Sequence, residues 1–131
     1  MQEKIYKLIK DLDINRPIED QKNAIKTMIT RNDYDIKKLI LPLDIRYDIG
    51  KKHWENAASV ICGKKESTIL MIVPDLLIWL QDMNWPGAWK ILDRLNSLPK
   101  ESILLHKENA IRTAKNSNDE IWIDNLNNIL E

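Results

Sequence analysis

Apolar residues recur along this chain at helical spacing. Ile5, Leu8, Ile9 and Leu12 fall at i, i+3, i+4 and i+7, which puts them on one stripe of a helix. Pro17 opens a second stripe of Ile18, Ile25, Met28 and Ile29. A short third one holds Ile36, Leu39 and Ile40, capped by Asn32 or Asp33 and ended by Pro42. Trp54, Ala57, Ala58 and Ile61 make a fourth, stopped by Gly63. Residues 69–80 are apolar almost all round, the pattern of a helix covered on several sides, with Pro74 starting or kinking it. Further helices are predicted near Pro86 (Ala88, Ile91, Leu92, Leu95), after Pro99 (Ile103, Leu104, Ile111, Ala114) and from Ser117 or Asn118 (Trp122, Leu126, Ile129, Leu130). No segment alternates as a strand does, and residues 42–50 are the longest irregular piece.

The stripes repeat. Trp54, Ala58 and Ile61 are followed 34 residues on by Ala88, Leu92 and Leu95, and 34 further by Trp122, Leu126 and Ile129. A step of 33 backwards reaches Gln21, Ile25 and Met28, where the polar Gln21 breaks the pattern. One helical hairpin cannot cover its own apolar face, so near-constant hairpins stack and bury a shared core. The expectation is an all-α chain: one domain over residues 1–131, a short α–α solenoid of about four hairpins and seven or eight helices. Its units follow the HEAT order of an apolar helix, an acidic turn and a second apolar helix.

The stretch WLQDMNWPGA (residues 79–88), with Asn-Asp-Glu-Ile-Trp at 118–122, resembles a family of small bacterial proteins classed as a domain of unknown function. The specific positions are Trp79 to Pro86; Asp119 and Trp122 match loosely. The resemblance implies a short HEAT-like α–α array; it supplies no established activity and leaves function open.

Trp79, Trp85 and Trp89 crowd into eleven residues of a chain without phenylalanine. On a helix over 75–83, Leu76, Leu77, Leu80 and Met83 face inward, Asp75 and Asp82 outward, and Trp79 sits at the boundary. There its indole, flanked by carboxylates, could hold a cation, a partner's arginine or a sugar face. Asn84, or Asp82, is the expected cap of the next helix. Trp85 is expected to staple the corner and Trp89 to pack between hairpins. These six residues (Asp75, Trp79, Asp82, Asn84, Trp85 and Trp89) are the candidate binding set.

Catalytic chemistry is not legible. His53 and His106 belong to no ligand motif, and the nucleophile and phosphate-loop signatures are missing. No catalytic residue, metal or cofactor is expected. Cys62 reads as a small buried hydrophobe and permits no intrachain disulfide. Twenty basic residues balance twenty acidic ones, which disfavours nucleic acid as the partner. The split is uneven, however: residues 1–65 carry 14 Lys/Arg against 10 Asp/Glu, and residues 66–131 carry 6 against 10. Lys51, Lys52, Lys64 and Lys65 could form a basic ridge, although a solvated face is the better reading. No segment is apolar and long enough to span a bilayer, so the expected place is the cytoplasm, in a bacterium by the Ile, Lys and Asn content. The function expected is a non-enzymatic helical-repeat domain binding another protein, as an adaptor or immunity-type protein. The alternative is a small-ligand binder or enzyme with a pocket at the Trp79, Asp82 and Trp85 corner.

Overall fold

A computed structural model describes residues 2–130. Eight α-helices occur among them: α1 (Gln2–Lys10), α2 (Ile18–Thr30), α3 (Trp54–Cys62), α4 (Glu66–Leu70), α5 (Val73–Ile78), α6 (Ala88–Asn96), α7 (Lys100–Asn116) and α8 (Glu120–Leu126). Short 3-10 segments fill Asp33–Leu39, Ile45–Tyr47, Lys51–His53 and Trp79–Gln81. The chain is all-α, with one isolated bridge between Asp44 and Ile49 as its only strand-like pairing among the described residues. The buried side chains join into one apolar cluster running from Ile5 to Ile129.

Helices α2, α3, α6 and α8 carry the 34-residue repeat, and their ends are tied together in sequence order. Lys64, just past α3, sends its Nζ to the Arg31 carbonyl at the end of α2 (2.7 Å). Arg94 in the last turn of α6 donates to the Lys64 carbonyl (3.1 Å). Beyond α8, the Leu130 amide donates to Asn96 Oδ1 (2.8 Å), 34 residues earlier. The first turns also meet, Gln21 with Asn56 and Glu55 with Lys90, so α2, α3 and α6 run parallel. The bonds at the last turns satisfy carbonyls that have no partner within their own helices. α2 packs on α3 and α3 on α6, while α7 packs on α5 and α8.

Gln21, the polar break in the repeat, has a physical reason. Its Nε2 donates to the carbonyls of Ile14 (3.1 Å) and Arg16 (2.7 Å). Its Oε1 accepts from Asn56 Nδ2 (2.9 Å), which also reaches the Leu12 carbonyl (2.7 Å). The buried amide pair therefore fixes the turn between α1 and α2 against α3. A second polar knot holds the other end: Asp33 takes a hydrogen bond from Thr68 Oγ1 (2.6 Å) and an ion pair from buried Lys64 (3.0 Å). Those two donors hold the Asp33 carboxyl below its usual range, the Thr68 hydroxyl most of all.

Three expected helices take a different form. The short third stripe is a 3-10 segment (Asp33–Leu39), capped by Asn32 as expected. The apolar run 69–80 is not one helix. Pro74 has no N–H to give and its ring crowds the carbonyl four residues back, so α4 ends and α5 starts anew with Pro74 in its first turn. The helix expected over 75–83 likewise stops at Ile78 and tightens into the 3-10 turn Trp79–Gln81.

Gly87 fixes the approach of α6 to α3. Its φ is +87°, and a Cβ there would lie 2.7 Å from Ala58 Cβ and 2.9 Å from the Trp54 carbonyl oxygen. Gly87→Ala combines left-handed strain with overpacking, so the expected loss of stability is about 2–4 kcal/mol. Urea unfolding of the variant measures it, and a loss below ~1 kcal/mol would contradict the close approach.

Candidate functional site

The tryptophan corner is built from α3, the 3-10 turn Trp79–Gln81 and the start of α6. Three indoles meet there. Trp54 lies edge-on to Trp79 (centroids 6.4 Å apart, 72° between planes) and to Trp85 (5.5 Å, 83°). Such T-shaped pairs set the positive ring edge against a negative face. Trp54 Nε1 donates to the Pro42 carbonyl (2.7 Å) and Trp79 Nε1 to the Pro86 carbonyl (2.9 Å). On α8, Trp122 Nε1 donates to the Leu77 carbonyl (3.0 Å). Each buried indole N–H thus has a backbone acceptor, which removes the cost of hiding a polar group.

Trp79 and Trp89 exchange their expected roles. Trp79 is 0% exposed, not a boundary residue, because the 3-10 turn carries it inward beside Leu80. It has no open face to offer a cation or a sugar, so the expected pocket at Trp79, Asp82 and Trp85 lacks its central group. Trp89 does not pack between hairpins. It is 60% exposed on α6, whose Ala88, Ile91, Leu92 and Leu95 are all buried. Trp85 does staple the corner, half-buried against Trp54.

The capping residue is also not the expected one. Asn84 does not cap α6. Its own amide donates to Asp82 Oδ1 (2.8 Å), and the Trp85 amide to the Asp82 carbonyl (3.0 Å), forming a turn. The cap position falls on Gly87, and Glu55 of α3 meets its amide from across the interface, the part an N3 side chain plays in a capping box. Its Oε1 takes the Gly87 amide (2.9 Å) and its Oε2 pairs with Lys90 (2.8 Å). Lys90 Nζ also reaches Ser59 Oγ (2.7 Å). Asp75 is half-exposed on α5 and faces Lys37 at 3.8 Å.

Neither Glu55 nor Trp54 stood among the sequence candidates. Nothing local marks Glu55, since its partner amide is 32 residues away. The 34-residue repeat does place Trp54 level with Ala88, and that was the available signal.

Other side chains settle into local tasks. Lys64 is buried in its polar knot, Lys52 pairs with Asp48 (2.6 Å) and Asp13 (3.6 Å), and Lys51 lies over the Trp54 ring at 5.9 Å. Lys65 is exposed, but with Lys64 buried and Lys52 ion-paired the four do not make one solvated ridge. Cys62 is half-buried rather than buried, and burial pushes its thiol up to about 11. His106 is half-buried on α7. His53 is buried, its Nδ1 facing the Gly50 amide at 3.1 Å. It borders a hollow of about 330 Å³ lined with Lys10, Asp13, Arg16 and Asp48. An apolar groove of about 310 Å³ lies at the far end, between Ile103, Leu104, Ile129 and Leu130. Among the described residues no three His, Cys, Asp or Glu side chains group so as to hold a metal ion. No helix of the described residues is long and apolar enough to cross a membrane.

The loop before α3 presents a further apolar surface. Leu43 and Ile45 are 74% and 91% exposed. The loop is pinned by Tyr47 stacked on Tyr6 (4.2 Å, 9°), with Arg46 over one ring and Lys38 over the other.

Two predictions follow from these environments. Trp79→Ala is expected to cost about 3–5 kcal/mol in urea unfolding, and Trp89→Ala within ~0.5 kcal/mol of zero. Acrylamide quenching checks the same assignment: Trp89→Phe removes most of the readily quenched emission, and Trp79→Phe does not. His53 gives a pH signature. Burial is the main influence and pushes its imidazole below its ordinary 6.5, against the opposing pull of the Gly50 hydrogen bond and Asp13. The unfolded chain then takes up this proton at higher pH than the folded one. The stability due to the neutral ring is complete above about pH 7 and is lost as pH falls through 6.5 toward the lower folded value. Urea unfolding at pH 7.5 and 5.5 is expected to show a larger drop for the native chain than for His53→Gln.

No curated protein and no solved structure matches the chain. A family model described as a domain of unknown function (DUF5071) matches residues 49–131, from the end of the Leu43–Ile45 loop through the whole tryptophan corner to α8. The match spans well over half of the chain, and the protein belongs to the DUF5071 family.

Proposed function

We propose that residues 1–131 are a single HEAT-like helical-repeat domain, non-enzymatic, that binds another protein through the outer face of α6. The place we propose for it is the bacterial cytoplasm, in an adaptor or immunity-type role. The observation that carries this reading is Trp89. A monomeric protein gains about 2–3 kcal/mol by burying an indole, and the neighbouring tryptophans are buried or half-buried in the corner. An indole left 60% exposed in the first turn of an ordered helix is the residue type that dominates protein–protein hot spots. Its support is rigid. α6 is fixed to α3 by Gly87, Glu55 and Lys90, so a partner meets a preorganised surface and little ordering is lost on binding.

The parallel run of α2, α3 and α6 supports the solenoid reading, since such stacks offer a continuous face of successive helices. The even balance of charge and the acidic second half speak against nucleic acid as the partner, and Lys52 and Lys64 are drawn into ion pairs and a carbonyl contact.

The test is purification of the tagged chain from its own cells. The expected result is a stoichiometric partner that is lost in Trp89→Ala and kept in Tyr34→Ala, a substitution at another exposed aromatic. A chain that stays solitary, or a partner indifferent to Trp89→Ala, would overturn the proposal.

A further inference from the structure

The hollow beside His53 has its acids engaged and its donors free. α1 supplies Lys7 and Lys10, three residues apart and so on one face, and the turns after α1 supply Arg16. Three acids share the lining, and each is engaged from within the chain. Arg16 pairs with Asp11 (3.0 Å), and Lys52 holds both Asp13 (3.6 Å) and Asp48 (2.6 Å). Lys7 and Lys10 form no ion pair among the described residues. The fourth donor is the imidazole, which is 1% exposed. Its Nδ1 lies 3.1 Å from the Gly50 amide nitrogen and 3.2 Å from the Gly50 carbonyl oxygen. The carbonyl already takes the His53 amide (2.9 Å), whereas the Gly50 amide has only Nδ1 to bond. Nδ1 therefore accepts in the neutral ring, and the carbonyl bonds it only once the ring is protonated. That puts the single ring proton on Nε2. Nε2 has no partner among the described residues. The sealed polar atoms left without one are Arg31 Nε and Arg94 Nε, so the ring meets the hollow at Nε2. A donor in the wall of a buried ring is thus left without an acceptor, a loss that an incoming oxygen makes good.

We infer that Lys7, Lys10, Arg16 and the Nε2–H of His53 form a receptor for a phosphate group, free or as the monoester of a small molecule. None of these residues belongs to α6, so the site stands apart from the proposed protein-binding face. The hydrogen-bonding capacity left open in the hollow is that of donors, and donors select an anion. Two ammonium groups, an imidazole N–H and the nitrogens of Arg16 beyond the Nη2 given to Asp11 outnumber the two oxygens of a carboxylate. A phosphate group offers more oxygens and close to two negative charges. The Asp48 carboxyl is held below its usual range, by Lys52 chiefly and to a small extent by Lys10, so the Lys10 charge is felt on this side of the hollow. A divalent cation has no ligand set here, because the acids and His53 do not group on one point among the described residues. The volume of about 330 Å³ is at the small end for ligand pockets and fits a small molecule. Charge over the chain agrees: the half that contains the hollow is the basic one, with 14 Lys/Arg against 10 Asp/Glu, and it attracts an anion.

Proton and nitrogen NMR of the histidine rings at pH 7.5, where burial keeps His53 neutral, tests the inference on the full chain. The probes are inorganic phosphate, phenyl phosphate and acetate at constant ionic strength. Saturable shifts at His53 Nε2 are expected with a phosphate probe at a Kd below about 1 mM, and acetate is expected to bind at least about 5-fold more weakly. His106 on α7 is expected not to move and serves as the internal reference. Lys7→Gln and Lys10→Gln are each expected to weaken phosphate binding about 5-fold or more, with helicity by circular dichroism unchanged. Lys115→Gln removes an exposed cation from α7, and its affinity is expected to stay within about 2-fold of the native chain. Tighter binding of phenyl phosphate than of inorganic phosphate identifies an ester as the ligand; any other order identifies free phosphate. No saturable shift at His53, equal movement of His106, equal binding of acetate, or an equal loss in Lys115→Gln would overturn the inference.

Discussion

The contact between Gly87 and α3 governs the middle of this molecule. A helix start pressed against Ala58 and the Trp54 carbonyl leaves no room for a side chain at its own cap. The amide at the cap position is met by Glu55 from the neighbouring helix. Once Glu55 is committed there, Lys90 follows as its counter-ion, and the α3–α6 groove is closed in charge and in shape. The same approach encloses Trp79, whose indole N–H ends on the Pro86 carbonyl one residue before the glycine. Close packing, capping and indole burial are one constraint seen from three sides.

The remaining architecture extends that local solution along the chain. Long polar side chains reach from each helix end to the next: Lys64 to the Arg31 carbonyl, Arg94 to the Lys64 carbonyl, Asn96 to the Leu130 amide. Apolar stripes alone would let parallel helices slide, because hydrophobic contact has no direction. Hydrogen bonds do have direction, and ones spaced near the repeat length fix the register. The buried Gln21–Asn56 amide pair does this at the first step, where the repeat is least regular.

The stripes were legible in the sequence because burial follows helical period. Ile5, Ile9, Leu12, Met28, Ala58, Ile61, Leu92, Leu95 and Trp122 are all buried where the spacing placed them. Terminators were legible too: Pro17, Asn32 and Gly63 stand at the helix ends, whereas α8 is capped by Asp119 and not begun at Ser117 or Asn118. The tryptophan corner was not. A one-helix reading of residues 75–83 assumes a steady 100° per residue, and the tightened turn at Trp79 rotates the ring to the inside. A cap drawn from another helix leaves no mark near the amide it serves, so Asn84 and Asp82 looked adequate. Trp89 looked like core because tryptophan usually is, and only the coordinates of α6 show its neighbours turned away from it.

Where a repeat is kept, its residues answer to packing; where it is broken, something else selects the residue. Gln21 breaks the apolar series and is occupied fully by three hydrogen-bond partners inside the fold. Trp89 stands one repeat on from Glu55, and it is exposed where Glu55 is engaged by the Gly87 amide and Lys90. An internal repeat thus acts as its own control: the α3–α6 groove shows what these positions do when they serve stability alone. One repeat on from Glu55, an exposed aromatic face takes the place of that engaged acid. A large apolar side chain released from packing on a rigidly held helix is the chief physical argument for the binding face that we propose.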